Sequence, residues 1–112
     1  MISIIESFGD IIYSYEIQRY KQYDGAYEFA AVVWFNDKSV LYIKDYVFLN
    51  GERKYSFHWQ DEQNKLLRRW DNSPYHKDIK TFPFHLHTAT GLEKSRPMTL
   101  KKVLEFIAKQ IL

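Results

Sequence analysis

The chain contains no cysteine, which excludes a disulfide framework, a thiolate nucleophile and a cysteine-ligated zinc site. It has only four glycines, and none stands in a phosphate-binding or dinucleotide-binding motif, so we expect no nucleotide cofactor. The apolar run 1–5 is followed by Glu6 and Asp10, which predicts neither a signal segment nor a membrane span. Cytoplasmic residence is therefore expected.

What the chain does contain is typical of one folded domain. Of its 112 residues, 46% are hydrophobic and 27% charged, which suits a single two-layer core and is too apolar for a disordered segment. Aromatic residues reach 18%, which favours β-strands and would also suit a partner surface or stacking on bases. The net charge of +2 permits contact with nucleic acid without predicting it. We predict a single domain over residues 1–112.

Alternating apolar and polar residues, interrupted by turn-forming dipeptides, predict an antiparallel sheet. Asp24-Gly25 and Asn50-Gly51 are the strongest turn signals. The predicted strands cover 12–22, 26–36, 39–49, 53–61 and 65–71. With the helices described next, the predicted fold class is α+β: an antiparallel β-meander of about five strands, with a short N-terminal helix and a C-terminal helix packed on the sheet.

Helices are predicted at both ends of the chain. Ser3 and Glu6 have the spacing of a capping box, which predicts a short helix over 4–8. Thr99 precedes a run whose apolar residues recur at helical spacing, as in a helix that packs one face on a sheet. The residues between the last predicted strand and Thr99 have no regular pattern, and a short extra strand around 81–88 is one interpretation of them.

The hairpin of the last two predicted strands decides which polar side chains meet. A loop of even length places His58 opposite Arg69 and Ser56 opposite Asp71, so that all four lie on one face. A loop of odd length would separate them.

The turn before this hairpin sets the register of the preceding strand pair. We interpret Asn50-Gly51 as a two-residue type I′ turn, which predicts Asp45 opposite Ser56 and Ile43 opposite His58. Asp45 would then join the same polar face.

Four stretches between residues 46 and 87 have distinctive sequences. They read Tyr46-Val47-Phe48-Leu49-Asn50-Gly51, Lys54-Tyr55-Ser56-Phe57-His58-Trp59-Gln60-Asp61, Arg69-Trp70-Asp71-Asn72-Ser73-Pro74-Tyr75-His76 and Thr81-Phe82-Pro83-Phe84-His85-Leu86-His87. In this order they closely resemble the TumE family of small prokaryotic toxins, and the likeness runs from about residue 15 to the C-terminus. The resemblance implies the toxin of a type II toxin–antitoxin module with a TumA-like antitoxin as partner. It does not specify a reaction.

Polar residues on the predicted face fit a metal-free ribonuclease site. Cleavage of RNA through its own 2′-hydroxyl needs a base, an acid for the leaving 5′-oxygen and a cation for the phosphate, and histidine and arginine meet these needs near neutral pH. Asp71 or Asp45 would orient a histidine. The alternative is a purely structural pairing of His58 and Arg69 with these acids. The candidate catalytic residues are His58, Arg69, Asp71, His85 and His87.

A metal site is a second interpretation of the same histidines. His85-Leu86-His87 places two imidazoles on one side of an extended segment, and His58, His76 or Asp71 would complete a set of nitrogen and oxygen ligands. The spacing is a weak signal, so we predict no bound metal and keep a metal-dependent hydrolase as an alternative function.

Basic and aromatic residues of the same region also predict a nucleic-acid surface. This leads to a third alternative, a non-catalytic module that binds RNA, the ribosome or a partner protein, with homodimerisation left open. Exposed aromatic side chains would equally suit an antitoxin interface. The candidate nucleic-acid-binding residues are Arg53, Lys54, Trp59, Arg68, Trp70 and His76.

Overall fold

The structure, a computed structural model, describes residues 1–72 and 84–111. Within these ranges one antiparallel sheet contains seven strands in chain order, so each strand lies beside its sequence neighbours. The strands are β1 Ile12–Tyr23, β2 Ala26–Phe35, β3 Val40–Val47, β4 Arg53–Gln60, β5 Leu66–Asp71, β6 His85–Thr88 and β7 Gly91–Lys94. The helices are α1 Ile2–Glu6 and α2 Leu100–Ile111.

The predicted α+β class is confirmed, but the strand count is corrected from five to seven in the described ranges. The five predicted strands all form, at nearly the predicted bounds. The two additional strands are β6 and β7, four residues each, which is too short for an alternating pattern to identify them. β6 lies within the region where an extra strand was one interpretation. It pairs with β5, and β7 pairs with β6.

One face of the sheet forms the hydrophobic core with α2. The helix buries Leu100, Val103, Leu104 and Ile107 against the sheet, as its apolar spacing predicts. Thr99 caps the helix as expected, because its Oγ1 accepts a hydrogen bond from the Lys102 N–H at 3.2 Å. No helix within the described ranges has the length and apolar character needed to cross a membrane.

The short N-terminal helix forms, but the predicted capping box does not. α1 begins at Ile2 with Met1 as its N-cap, and no side chain caps it. The Met1 carbonyl already accepts the Ile5 N–H at 3.1 Å, so the helix starts before Ser3 could act as a cap. Ile5 is fully buried and attaches the helix to the core.

The predicted register between β3 and β4 is wrong by one residue. Asp45 lies opposite Tyr55, not Ser56, and Ile43 lies opposite Phe57, not His58. The cause is the turn, which holds three residues and not two.

Two hydrogen bonds define that longer turn. The Phe48 N–H donates to the Glu52 carbonyl at 2.8 Å, and the Gly51 N–H donates to the Phe48 carbonyl at 2.9 Å. Gly51 has a φ of 86°, as expected for a type I turn followed by a glycine bulge. The extra residue moves each β3 side chain to the face opposite the predicted one.

Candidate functional site

The candidate site lies on the sheet face opposite α2. Side chains alternate along β4, so that Tyr55, Phe57 and Trp59 are buried against the helix side. His58 therefore projects to the other face, together with Ser56. The predicted alternation of this strand is confirmed.

A β-bulge aligns this face with β5. The Asp61 N–H donates to the Lys65 carbonyl at 2.9 Å, which closes an odd-length loop over 62–64. An odd loop alone would separate the polar residues, but Leu67 is an extra, unpaired residue in β5 and restores the register. His58 then lies opposite Arg69, as predicted, and Ser56 and Asp71 are likewise paired.

β6 adds two histidines to the same face. Its register places His87 opposite Arg69 and His85 opposite Asp71. Asp71, only 4% exposed, is the centre of the resulting cluster. Its Oδ1 lies 2.9 Å from His85 Nδ1, while its Oδ2 accepts a hydrogen bond from Arg69 Nε at 3.1 Å and lies 3.1 Å from His87 Nε2. One buried carboxylate thus fixes an arginine and two imidazoles.

The side chains around Asp71 differ in their exposure to solvent. The side chain of Arg69 is 43% exposed and that of His87 is 26% exposed, so both are accessible to a ligand. His85 has no exposed surface. It is therefore placed to hold Asp71 and not to contact a ligand directly.

The environment of His58 favours its neutral form. Burial lowers the pKa of His58 below the ordinary histidine value, a hydrogen bond to Gln60 opposes this effect, and the positive charge of Arg69 lowers the pKa further. A neutral imidazole can accept a proton near pH 7.

The hydrogen bonds of Gln60 indicate which nitrogen carries the proton. Gln60 Nε2 donates to Asn64 Oδ1 at 2.9 Å, which leaves Gln60 Oε1 to accept from His58 Nε2 at 3.1 Å. The lone pair of the neutral His58 ring is then on Nδ1. In this conformation Nδ1 is buried and has no hydrogen-bond partner among the described residues.

A cavity of about 570 Å³ opens on this face beside His58 and Arg69. Two lysines, Lys44 and Lys54, line it together with Arg69, and its lining includes no carboxylate among the described residues. An anionic group is the ligand that such a lining would attract. A second cavity, of about 640 Å³ beside Tyr13 and Trp34, offers neither an imidazole nor a carboxylate in its described lining.

Asp71, His85 and His87 also have the geometry of a metal-ligand set. Each offers one ligand atom, and these atoms all lie within 4.8 Å of one another. Two nitrogens and one carboxylate oxygen would suit zinc, manganese or iron. However, Arg69 already donates to the same carboxylate, and its charge opposes a cation at this point.

Three of the predicted nucleic-acid-binding residues lie on the opposite, helix-side face. Trp59 and Trp70 are 6% and 3% exposed and contact Phe106 of α2 edge-on, with ring centroids 6.4 and 5.6 Å away. Arg68 stacks over the same ring at 4.3 Å from its centroid. Neither indole offers a free face to a base in this structure.

The remaining predicted binding residues are divided between the two faces. Arg53 donates from Nε and Nη2 to the two carboxylate oxygens of Asp45 at 2.9 Å each, and from Nη1 to the Met98 carbonyl. This arrangement connects β4 to the residues just before α2, on the side away from His58. Lys54 is exposed on the His58 face, and His76 lies outside the described residues.

Three residues of the candidate site, all on β3, were not among the predicted site residues. Tyr42 lies opposite His58, Lys44 opposite Ser56 and Tyr46 opposite Lys54. The alternation of β3 contains this information, but the one-residue register error assigned these side chains to the wrong face. Asp45, which the same error placed in the site, lies on the helix side.

The comparisons with known proteins identify the family. No match is found among curated proteins or among solved structures. The family described as toxin TumE matches residues 1–111, nearly the whole chain. The chain therefore belongs to the TumE toxin family.

Proposed function

We propose that this chain is the toxin of a type II toxin–antitoxin module and acts as a ribonuclease without a metal. The observation that carries the proposal is the convergence of His58, Arg69, Asp71 and His87 on one sheet face, beside a cavity lined by cations. Membership of a toxin family supports the biological role. The convergence supports the reaction.

The proposed reaction is transesterification through the RNA 2′-hydroxyl. His58 accepts the 2′-hydroxyl proton as the 2′-oxygen attacks phosphorus and the bond from phosphorus to the 5′-oxygen breaks. His87 donates a proton to that leaving oxygen, and Arg69 stabilises the charge on the phosphate oxygens. The products are a 2′,3′-cyclic phosphate and a 5′-hydroxyl.

The Asp71 carboxylate organises these groups. It fixes Arg69 through Nε, so that the rest of the guanidinium is left to face the phosphate. It also lies against His87 Nε2, where an imidazolium would have a counterion. His85, which is fully buried, acts through Asp71 as a positioning residue.

The proposal requires one movement of His58. Its Nδ1 lone pair is buried in this conformation, so the ring has to turn toward the cavity when RNA binds. The turn breaks its hydrogen bond to Gln60, and a typical neutral hydrogen bond contributes about 0.5–1.5 kcal/mol, a small cost beside catalytic barriers.

The metal-dependent hydrolase is a second candidate, favoured by the ligand geometry of Asp71, His85 and His87. In that case the metal would supply an activated water, and cleavage would stop in chelator. A metal-free site continues to cleave in chelator. This difference separates the two candidates without any mutation.

The proposed partner is a TumA-like antitoxin encoded beside the toxin. Such a partner would abolish toxicity when both proteins are expressed together. Expression of the toxin with and without the adjacent gene therefore tests the proposed partner.

The test is growth after induced expression, with total RNA analysed from each culture. We expect wild type to arrest growth and fragment RNA, His58→Ala to do neither, and the adjacent small gene to relieve the arrest. Lys101→Ala, an exposed change on α2, is the matched control and should stay toxic. Arrest with intact RNA that persists in His58→Ala would contradict the proposal and favour a binding mechanism.

A further inference from the structure

The outer face of β3 presents two tyrosines on either side of a lysine. Tyr42, Lys44 and Tyr46 alternate with buried residues and so share one face. Residues two apart in a strand are separated by about 6.5–7 Å, so the three side chains form a row along the cavity. Tyr42 is 44% exposed, so part of its ring is accessible from the cavity.

The row of side chains on β3 runs directly into the proposed catalytic residues. The ring centroids of Tyr42 and His58 are 6.2 Å apart with the planes tilted by 59°, so Tyr42 borders His58 without covering it. Lys44 and Lys54, which lie on either side of Tyr46, form no ion pair with any described residue, so their ammonium groups are available to an anionic ligand. Tyrosine rings and lysine side chains without an ion-pair partner among the described residues thus alternate along the cavity.

We propose that this row is the binding groove for single-stranded RNA, with one unpaired base stacked on Tyr42 and the next phosphates held by Lys44 and Lys54. The groove rests on the proposed function, because it places the cleaved phosphate between His58 and Arg69. Stacking on a side chain needs a base with a free face, which bases inside a duplex do not have. The substrate class is therefore unpaired RNA.

An acidic segment of the antitoxin is the other ligand that the cations would attract. The position of Tyr42 favours RNA, because its ring borders His58 and a base stacked there would bring its own phosphate to the proposed catalytic residues. The two ligands are separated by testing whether an aromatic ring is needed at position 42.

The experiment uses the full chain and a short, fluorescently labelled oligonucleotide in which every ribose carries a 2′-O-methyl group. This probe lacks the attacking hydroxyl, so binding is measured without cleavage, by fluorescence anisotropy over a range of salt concentrations. Polyglutamate is the second probe. The variants are Tyr42→Ala, Tyr42→Phe and Lys44→Ala, with Tyr13→Ala as matched control because Tyr13 is 80% exposed on β1.

We expect Tyr42→Ala to weaken binding about 5- to 150-fold, the usual range for one stacked base, and Tyr42→Phe to bind as wild type. Three phosphate contacts predict a slope of log K against log salt of about −2, which Lys44→Ala reduces in magnitude by about 0.7. A duplex probe should bind more weakly than the single strand, and Tyr13→Ala should change nothing.

The inference is overturned if Tyr42→Ala binds the probe as tightly as wild type, if the duplex binds as tightly as the single strand, or if only polyglutamate binds. Failure of the proposed ribonuclease function looks different, because an unmodified oligonucleotide would then stay intact while the 2′-O-methyl probe still bound. Conversely, cleavage that is unaffected by Tyr42→Ala would leave the nuclease in place and remove the groove.

Discussion

Replacing Asp71 by asparagine removes the charge that holds the candidate site together. Hydrogen bonds to a charged group contribute about 1.5–3 kcal/mol each, but the contacts of Asp71 with Arg69, His85 and His87 share one carboxylate and are not additive. Arg69 is 43% exposed and can turn to water, and asparagine keeps one acceptor oxygen. We therefore expect a loss of about 3 kcal/mol in unfolding free energy, the lower end of the cost of breaking a buried ion pair.

Urea unfolding followed by tryptophan fluorescence measures this loss. Small proteins lose about 1–3 kcal/mol per molar urea, so the midpoint for Asp71→Asn should fall by about 1–3 M. Glu52→Gln is the matched control, because Glu52 is an exposed carboxylate in the β3–β4 turn and should leave the midpoint unchanged. A midpoint within about 0.3 M of wild type in Asp71→Asn would refute the view that this carboxylate organises the site.

The remaining predictions concern pH, the core and a turn. The rate of RNA cleavage should fall on the acidic side only below about pH 6.5, because burial and, to a smaller extent, the charge of Arg69 lower the pKa of His58. In Arg69→Gln this fall in rate should begin at a higher pH. A fall that begins above about pH 6.5 in wild type would contradict the role of His58 as the base. His58 also binds a proton less readily in the folded state than in the unfolded state, so the unfolding free energy should decline as pH falls below about 6.5. The unfolding free energy of His58→Gln, measured over the same pH range, should decline less. Ile107→Ala should lower the free energy of unfolding, measured by thermal unfolding, by about 2–5 kcal/mol because the side chain is fully buried, whereas Lys101→Ala should leave it almost unchanged. Gly51→Ala should cost about 1–2 kcal/mol in the same assay because of its positive φ, and an unchanged melting temperature would mean that the turn is not the one described.

The central part of the candidate site could be predicted from the sequence because β4 alternates strictly. A period of two puts His58 on the face opposite Phe57, and the short connection to β5 limits the partners of His58 to a few residues. The position of Arg69 was predicted correctly even though the loop has odd length, because a bulge at Leu67 compensates for it. Nothing in the sequence near Leu67 indicates that bulge.

The part of the site on β3 could not be predicted for a related reason. Asn50-Gly51 fits both a two-residue type I′ turn and a three-residue turn with a glycine bulge, and the choice moves every β3 side chain across the sheet. Lys44 was therefore assigned to the wrong face and Asp45 to the site. Asparagine and glycine occur in both kinds of turn, so the residues Asn50 and Gly51 do not distinguish them.

The role of Asp71 depends on a contact that local pattern does not encode. His85 meets Asp71 only because β6 pairs with β5, and the sequence of a four-residue strand carries almost no signal for its partner. The complete burial of His85 is a property of the folded chain that its local sequence does not indicate, so the distinction between a positioning histidine and a ligand-facing one required the structure.

The most direct test of the ribonuclease assignment is incubation of the purified chain with single-stranded RNA in the presence of chelator. A metal-free site at His58 predicts fragments with 2′,3′-cyclic phosphate and 5′-hydroxyl ends from wild type, and intact RNA from a folded His58→Ala variant. RNA that stays intact with wild type, or that is cut only after a divalent metal is added, would contradict a metal-free site at His58.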